Sequence, residues 1–437
     1  MKAILRLVLL LACLPLHAAP NIVFIFSDDA GFRDFGFQGS PEFKTPNLDR
    51  LAREGVVCSN GYVSGAVCVP SRAGLLTGRY QQRFGVYHND FSFEVPRDHP
   101  TMLEAIKSQG YETSAFGKWH VGMSPGNHPN KRGADYFFGF LGGHRFYTPW
   151  PRGHKKGDNP AFLLRENERV VDESSLDFYT TDLFTDRALE FIERSRGSEK
   201  PFFVYLAHHA VHDPLQALDA DAKPYRKLED PKRRTLGGMT AALDRSVGRL
   251  LDYLDSNDLR ENTLVVFSND NGGATKIHAD NGPLRGHKGV LYEGGVRVPF
   301  VLSWPGTLPQ GETFSHPVIT LDLYPTFVKL AGGDPTKHPK LLDGIDLMPF
   351  LTGAEADAPH QSLCWEDRTA AAVRAGDWKL LDWKSGDKPD ELYRLSTDIG
   401  EQTSLAAEQP EIVKRLKAHL AEWRSANAPD RAWKESM

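Results

Sequence analysis

The chain has 437 residues, of which 40% are hydrophobic and 25% are charged, and its formal net charge at pH 7 is -5. This balance is ordinary for a globular protein and gives no reason to expect a nucleic-acid partner. The length exceeds one ordinary core and suits one large domain with a smaller one.

The first 19 residues have the layout of a secretory signal peptide. Lys2 and Arg6 precede a short apolar run, and two alanines close the segment. The run is too short to span a membrane, and no later segment is apolar for long enough. Residues 10–13 also resemble a bacterial lipoprotein cleavage box with Cys13 as the lipidated residue. We expect an exported protein, periplasmic or secreted, with the lipid-anchored form as the alternative.

A continuous apolar run, residues 21–26, follows the leader and predicts a strand buried on both faces of a parallel sheet. It ends at Asp28 and Asp29. Two adjacent carboxylates are usually a solvated turn. At the end of a central strand, however, their charge needs a partner.

A turn and a helix over residues 45–52 lead to Cys68, which precedes Pro70 and Arg72 in a C-x-P-x-R pattern. A lone cysteine is most often a small buried hydrophobe. Here Ser71 can cap a helix whose free N–H groups favour an anion, and Arg72 adds a fixed positive charge. The pattern therefore indicates an anion site beside a cysteine.

Residues 110–116 predict a second strand, which ends before Lys118 and His120. The next segment, residues 122–172, is rich in glycine, proline, histidine and aromatic residues without a clear period, so we expect long loops over the rim of the sheet. Its candidates for gripping a sugar are His144, Arg145, Tyr147 and Trp150, with local packing as the alternative for each.

A third strand over residues 201–206 is followed by clustered histidines, among them His209 and His212. Such a cluster suggests zinc, but the helical H-E-x-x-H pattern is absent, and the dipeptide at residues 213–214, Asp-Pro, favours a loop. We therefore interpret these histidines as part of a loop at the end of a strand.

Apolar residues at helical spacing over 236–254 predict a helix packed on the sheet. The strand at 263–268 ends at Asp270 and Asn271, and another strand covers 298–303. Open α/β sheets place ligand sites at the carboxyl ends of their strands, so the four polar clusters can meet in one pocket.

After residue 354 the pattern changes. Short segments at 370–374, 378–381 and 392–395 are separated by turn residues and suggest a small antiparallel sheet. Residues 411–423 predict a terminal amphipathic helix. An exported protein this poor in cysteine does not rely on disulfides. We expect Cys58 and Cys364 to be buried thiols, with a disulfide between them as the alternative.

Several separated segments resemble the motifs of the type I sulfatases, formylglycine-dependent enzymes of the alkaline phosphatase superfamily. The details around the signature look most like bacterial galactose- or N-acetylgalactosamine-type sulfatases. The matching segments are the signature at 68–79, G-K-W-H at 117–120, H-x-x-H-x-P at 209–214, D-N-G-G at 270–273, the glycine-rich run at 286–299, and D-G-I-D at 343–346.

The resemblance implies an α/β fold with a large mixed, mainly parallel sheet flanked by helices, plus a small C-terminal antiparallel sheet with a terminal helix. It implies a catalytic domain over 20–354 and a C-terminal α+β subdomain over 355–437. It also implies that Cys68 is oxidised to formylglycine (3-oxoalanine) by a formylglycine-generating enzyme or an anaerobic sulfatase-maturating enzyme. One calcium ion per chain would be bound by oxygen ligands from Asp28, Asp29, residue 68, Asp270 and Asn271.

The same resemblance assigns catalytic roles. The sulfate oxygens are held by Arg72, Lys118 and Lys288. Asp270 is the base for the attacking hydroxyl, His212, alone or with Lys288, protonates the leaving oxygen, and His120 assists sulfate release. The candidate substrate contacts are His144, Arg145 and His287.

The sequence thus predicts a sulfatase that acts on sulfated oligo- or polysaccharide. The first alternative is a phosphomonoester or phosphonate-monoester hydrolase of the same superfamily. The second is a non-catalytic glycan-binding homologue that keeps the fold.

Overall fold

In a computed structural model of the protein, the described residues are 19–429 apart from 91, 150–158, 175 and 387. Residues 1–18 of the predicted signal peptide, which include Cys13, therefore lie outside the described residues. Trp150 lies outside them as well. Within this range every helix is too short or too polar for a membrane span.

The strands begin and end close to the predicted apolar runs. In chain order they are β1 (Asn21–Ser27), β2 (Val56–Cys58), β3 (Gly61–Tyr62), β4 (Glu112–Lys118), β5 (Tyr136–Phe140), β6 (Arg165–Glu166), β7 (Arg169–Val170), β8 (Phe202–Ala207), β9 (Thr263–Asn269), β10 (Phe300–Ser303), β11 (Glu312–Phe314), β12 (Val318–Ile319), β13 (Ser362–Glu366), β14 (Ala370–Ala375), β15 (Trp378–Trp383) and β16 (Glu391–Arg394).

The helices include each of those predicted. In chain order they are α1 (Pro46–Arg53), α2 (Cys68–Thr77), α3 (Met102–Lys107), α4 (Thr180–Ser195), α5 (Asp219–Ala222), α6 (Pro231–Ser256), α7 (Glu293–Val296), α8 (Leu323–Leu330), α9 (Met348–Leu351) and α10 (Pro410–Ala426).

The main sheet has ten strands in the order β11-β2-β10-β9-β1-β8-β4-β5-β6-β7. Its centre, from β9 to β5, is parallel. Antiparallel pairing occurs towards both edges, at β10 with β9 and β2, and at β6 with β5 and β7. The sheet is therefore mixed and mainly parallel, as predicted.

Strand β1 shows why the sheet is the middle layer. Its side chains alternate between two hydrophobic cores: Ile22, Phe24 and Phe26 pack on one face, and Val23 and Ile25 on the other. The first core includes residues of α2, α3 and α8, and the second includes residues of α1, α4 and α6. A strand buried on both faces needs a continuous apolar run, which is the pattern in the sequence.

The C-terminal part forms a separate antiparallel sheet in the order β13-β14-β15-β16. Leu416 and Leu420 of α10 pack on one face of it. The predicted small sheet and terminal helix are confirmed, and the sequence missed only the edge strand β13. Cys58 and Cys364 are buried free thiols, so no disulfide joins them.

Two expectations were wrong. The segment predicted as long loops contains β5, which pairs in parallel with β4 and extends the main sheet. Strand β5 has only five residues between glycine-rich turns, which is too short a run to show a hydrophobic periodicity. Ser71 does not cap α2, because the helix begins at Cys68 with Val67 as its N-cap residue. Ser71 lies inside the helix, and its hydroxyl has no hydrogen-bond partner in the described part of the chain.

Candidate active site

The carboxyl ends of β1, β4, β8 and β9 lie side by side, because these strands are parallel neighbours. The loops that follow them are joined by backbone hydrogen bonds. Asp28 N–H donates to Ala210 O at 2.8 Å, and Val211 N–H donates to Asp28 O at 2.7 Å. Asp270 N–H donates to Ser27 O at 3.1 Å. The topology therefore brings together polar residues as far apart in sequence as Asp29 and Asn271, which are separated by 242 positions.

Cys68 is the first residue of α2, and its side chain faces this edge of the sheet. The whole helix is buried, and no side chain caps its first turn from the N-cap position. Val69 N–H instead donates to Asn89 Oδ1 at 2.9 Å. Burial, followed by the Asp270 carboxylate, raises the pKa of the Cys68 thiol to about 12. The unmodified thiol is thus protonated at neutral pH and is a poor nucleophile.

Three buried carboxylates and three cationic side chains surround Cys68. Arg72 Nε and Nη2 donate to Asp270 Oδ2 at 3.0 and 2.9 Å. Lys118 Nζ donates to Asp28 Oδ2 at 2.5 Å. These four side chains are fully buried, so each charge depends on its partner for stabilisation.

Lys288 is the third cation, and it contacts Cys68 directly. Its Nζ lies 2.6 and 2.8 Å from the two carboxylate oxygens of Asp29 and 3.3 Å from Cys68 Sγ. Burial lowers the pKa of Lys288, but Cys68, Asp29 and Asp28 more than offset this and raise it well above its ordinary value. Lys288 is therefore charged at neutral pH. Three acids and three cations leave the cluster formally balanced.

Four side chains of this cluster form a group that could hold a metal ion. Asp28, Asp29, Cys68 and His212 place one ligand atom each within 4.8 Å of one another. Asn271 donates its Nδ2 to Asp29 Oδ1 at 2.8 Å, whereas its buried Oδ1 accepts no hydrogen bond from any described residue. Carboxylate and amide oxygens are the ligands that calcium prefers. The predicted set had Asp270 and Asn271 in place of His212, and here Asp270 is held by Arg72.

Two predicted histidines, His120 and His212, face the cluster. His120 is buried, and burial followed by the charges of Lys118 and Arg72 holds its pKa well below the ordinary value, so its imidazole is neutral. His212 has Nδ1 2.7 Å from Asp213 O, and its Nε2 lies 3.6 Å from Asp29 Oδ2. With Nδ1 bonded to a carbonyl, Nε2 is the atom that faces the pocket.

His209 lies behind His212 rather than beside Cys68. Its ring stacks on Tyr147 with the centroids 4.1 Å apart, and the Tyr147 hydroxyl donates to His209 O and His212 O at 2.7 and 3.0 Å. Tyr147, predicted as a sugar contact, is fully buried and instead supports the histidine loop. Local packing was the alternative predicted for Tyr147.

The predicted substrate contacts are separated by the structure. His144 stacks on His212 at 6.0 Å and contacts Phe162 at 4.7 Å, so it lies at the pocket wall. His287 is partly exposed beside Lys288, with its Nδ1 2.8 Å from Lys288 O. The assignment of Arg145 as a substrate contact needs correction, because its side chain is fully buried and forms a bidentate ion pair with Glu173. Its Nη1 and Nη2 lie 3.0 and 2.7 Å from the two carboxylate oxygens.

The comparisons with known proteins agree with this geometry. A family model described as Sulfatase matches residues 20–333, and one described as N-sulphoglucosamine sulphohydrolase, C-terminal, matches residues 286–426. Arylsulfatase J of Mus musculus is 32% identical over 94% of this chain and 77% of its own length. N-acetylgalactosamine-6-sulfatase of Canis lupus familiaris is 33% identical over 86% of this chain and 75% of its own length.

Among solved structures, Ps i-CgsB superimposes with a TM-score of 0.87 at 37% identity over 94% of each chain. The same protein has been solved in complex with k-i-k-neocarrahexaose, and that structure is 36% identical to this chain with a TM-score of 0.87.

Proposed function

Since the chain belongs to the sulfatase family and is thus a sulfuric ester hydrolase, we propose that it removes sulfate from sulfated carbohydrate of the galactose or N-acetylgalactosamine type. The observation that carries the proposal is the meeting of three carboxylates and three cations around Cys68. The relatives support the substrate class, because one is named for N-acetylgalactosamine-6-sulfate and another was solved with a neocarrahexaose.

The cationic side chains suit a sulfate monoester, which carries one negative charge spread over its oxygens. Arg72 cannot lose its proton, and Lys288 stays charged beside Asp29. Arg72, Lys118 and Lys288 would bind the sulfuryl oxygens and stabilise the charge that grows on them in the transition state.

Position 68 is proposed to react as formylglycine, made from Cys68 by a formylglycine-generating or anaerobic sulfatase-maturating enzyme. The reason on this chain is the raised pKa of the thiol, which leaves the unmodified side chain protonated. The hydrated aldehyde would supply an oxygen nucleophile that a thiol lacks.

A calcium ion is proposed to bind Asp28, Asp29, Asp270 and Asn271 with residue 68. It would supply positive charge next to the sulfate group. Asn271 Oδ1, which accepts no hydrogen bond from the described residues, and the buried carboxylates suit this ion. Asp28 and Asp29 would then be shared between the ion and their lysine partners.

Proton transfers are proposed for three groups. Burial raises the pKa of Asp270, but Arg72 and Lys118 outweigh it and bring the pKa below the ordinary value. Asp270 is therefore ionised and can accept a proton at Oδ1, which among the described residues accepts a hydrogen bond only from Asp29 N–H, at 3.3 Å. His212 Nε2 would protonate the leaving sugar oxygen, and the neutral His120 would accept a proton during sulfate release.

We also propose that residues 1–19 are a signal peptide for export to the periplasm or medium, that 20–354 form the catalytic domain, and that 355–437 form a C-terminal subdomain. His144 and His287 are proposed to contact the sugar, because His144 stacks on His212 and His287 is partly exposed beside Lys288.

Mass spectrometry of the Cys68 peptide from a host with a maturating enzyme tests the chemistry, and we expect the aldehyde form. The purified enzyme is then assayed in calcium against aryl sulfate, aryl phosphonate, and galactose or N-acetylgalactosamine carrying sulfate at defined positions. We expect sulfate release from at least one sulfated sugar. A strong preference for the phosphonate, or full activity with unmodified cysteine, would reject the proposal.

A further inference from the structure

Asn281 lies between the loops that carry the proposed metal and sulfate ligands, although it belongs to none of the sequence motifs. It is 9% exposed and sits in the turn between the D-N-G-G segment and the glycine-rich run. Its side-chain amide reaches three separate segments of backbone, which follow Asp29, follow Asn271, and precede Lys288.

The amide of Asn281 uses its full hydrogen-bonding capacity. Oδ1 accepts from Phe32 N–H at 3.3 Å and from Gly273 N–H at 2.9 Å. Nδ2 donates to Gly273 O and to Gly286 O, each at 3.2 Å. A carboxamide has two donor hydrogens and two acceptor lone pairs, so every position is filled. An aspartate of the same shape would lack both donors.

Gly273 connects the hydrogen bonds of Asn281 to the proposed ligands Asn271 and Lys288. Its carbonyl also accepts from the backbone N–H of Lys288 at 3.1 Å. A Cβ atom on Gly273 would lie 2.6 Å from Gly31 Cα and 2.8 Å from Asn281 Oδ1, so the segments are in direct contact. A shift of the Asn281 amide must therefore change the position of Gly273 relative to both Asn271 and Lys288.

We propose that Asn281 is a positioning residue that sets the separation of Asp29, Asn271 and Lys288 by joining their three backbone segments. The inference deepens the proposed function and rests on it. Asn281 does not contact the reacting atoms. Its effect on the reaction comes from preorganisation, in which errors near 1 Å lower the rate of the chemical step about 100-fold.

Asn21 provides a matched control. It is 8% exposed and joins neighbouring strands through Phe202 N–H, 3.1 Å from its Oδ1, and Thr263 Oγ1, 3.5 Å from its Nδ2. It does so at the start of β1, the opposite end of the sheet from the site. Asn21→Ala should therefore lower stability as any buried asparagine would, with kcat within about 2-fold of wild type.

The test compares full-length, matured Asn281→Ala, Asn281→Asp and Asn21→Ala with aryl sulfate in calcium. For both Asn281 variants we expect kcat to fall about 30-fold or more with KM within about 3-fold. We also expect the calcium concentration at the midpoint of thermal stabilisation to rise about 10-fold. Asn21→Ala should leave the calcium midpoint unchanged.

A pH profile separates positioning from general loss of structure. Burial and the carbonyl oxygens of Gly273 and Gly286 disfavour an ionised aspartate at this position and raise its pKa. A protonated aspartic acid regains one O–H donor, so the kcat ratio of Asn281→Asp to wild type should rise as pH falls from 8 to 5.5. The ratio for Asn281→Ala should stay flat. If Asn281→Ala does not fold, Asn281→Asp fills the same volume and carries the test.

Kinetics and calcium midpoints like those of Asn21→Ala would overturn the inference, as would failure of both Asn281 variants to fold. An inactive wild type would instead reject the proposed function. An active wild type with unimpaired Asn281 variants would reject this inference alone.

Discussion

Two buried clusters of charged side chains each include residues of the segment 286–297, and one of the two surrounds Cys68. The active-site cluster comprises Asp28, Asp29, Asp270, Arg72, Lys118 and Lys288. The second cluster, called the interdomain cluster because it lies between the proposed catalytic domain and the proposed C-terminal subdomain, comprises Glu293, Glu401, Lys379, Arg374, Arg297 and Tyr62. It joins β3 and the segment 293–297 to strands β14 and β15 of the C-terminal sheet.

Ion pairs and hydrogen bonds join the members of the interdomain cluster to one another. Lys379 Nζ lies 2.8 Å from Glu293 Oε1 and 3.1 Å from Glu401 Oε1. Tyr62 donates its hydroxyl to Glu293 Oε2 at 2.7 Å, and Glu293 N–H donates to Glu401 Oε2 at 2.7 Å. Every member has a partner on a different segment, so the cluster fixes how those segments pack.

The active-site cluster differs because its pairs face Cys68 and the pocket. Lys288 retains 17% side-chain exposure, whereas Lys379 has none. Asn271 Oδ1 lacks a donor among the described residues, and Asp29 contacts both Lys288 and Asn271. Such a cluster can exchange partners when an ion or an anion binds. Buried charges that can exchange partners indicate a binding site, whereas buried charges that are paired with one another indicate a structural contact between segments.

The largest expected effect is on activity alone. Cys68→Ala removes the proposed nucleophile but few packing contacts. We therefore expect kcat for sulfate release to fall on the order of 10⁴-fold or more relative to the matured wild-type enzyme. The melting temperature should change by only a few degrees, as in a core change of one atom. Steady-state kinetics and thermal melts on the same preparation check both. Residual activity above one percent would place the nucleophile elsewhere.

The second effect is on stability alone. Lys379→Met leaves Glu293 and Glu401 buried without their shared cation, and removal of one partner of a buried ion pair costs roughly 3–5 kcal/mol of unfolding free energy. We expect urea unfolding to show this loss, with kcat of the folded fraction within about 3-fold of wild type.

Lys384 is the control for that substitution, because it follows the same strand but is 32% exposed beside Glu366. Lys384→Met should cost no more than about 1 kcal/mol. Equal losses for the two lysines would mean that the interdomain cluster does not act as a structural contact between segments.

Metal removal should act on the active-site cluster only. A ligand at one hundred times its dissociation constant stabilises the native state by about 2.7 kcal/mol, and EDTA should remove that contribution together with activity. Asp29→Asn should abolish the response to calcium, whereas Glu401→Gln should keep it. Calcium titrations of the melting temperature check this. A response unchanged by Asp29→Asn would place the ion elsewhere.

Part of this contrast was visible in the sequence. The apolar runs predicted the central strands, and topology then placed Asp28, Lys118, His212 and Asp270 at one edge, which the structure shows. Motif resemblance assigned their roles, which stay predictions. Local patterns sufficed here because each residue directly follows a strand whose apolar run is unambiguous.

The rest depended on long-range packing. Nothing in the local pattern of Arg145 distinguishes a sugar contact from the partner of Glu173, 28 residues away. The interdomain cluster joins Tyr62 to Arg374, 312 residues apart, through side chains that lie in ordinary strand or loop patterns. Asn281 before a Gly-Pro pair predicts only a turn, so its links to three loops were not visible either.

The smallest effect concerns pH and the interdomain cluster. Burial raises the pKa of Glu401 from 4.5 to about 7, because Lys379 only partly offsets burial and Glu293 adds to it. Between pH 4.5 and about pH 7, Glu401 therefore keeps its proton in the folded state but has lost it in the unfolded state. The wild-type protein consequently loses stability as pH rises through this range. Glu401→Gln does not titrate and keeps the bond to Lys379. Its stability relative to wild type should increase by about 1–2 kcal/mol between pH 5 and pH 8.

Urea unfolding at several pH values measures that difference, with the exposed Glu408→Gln as a control that should show no trend. The comparison must be between variants, because the buried His120 and His209 have lowered pKa values and oppose the trend. Their neutral forms favour folding, so their contribution is lost as pH falls below about 6.5. A stability difference that stays constant from pH 5 to 8 would show that Glu401 remains ionised, and that the interdomain cluster holds both carboxylates with its cations alone.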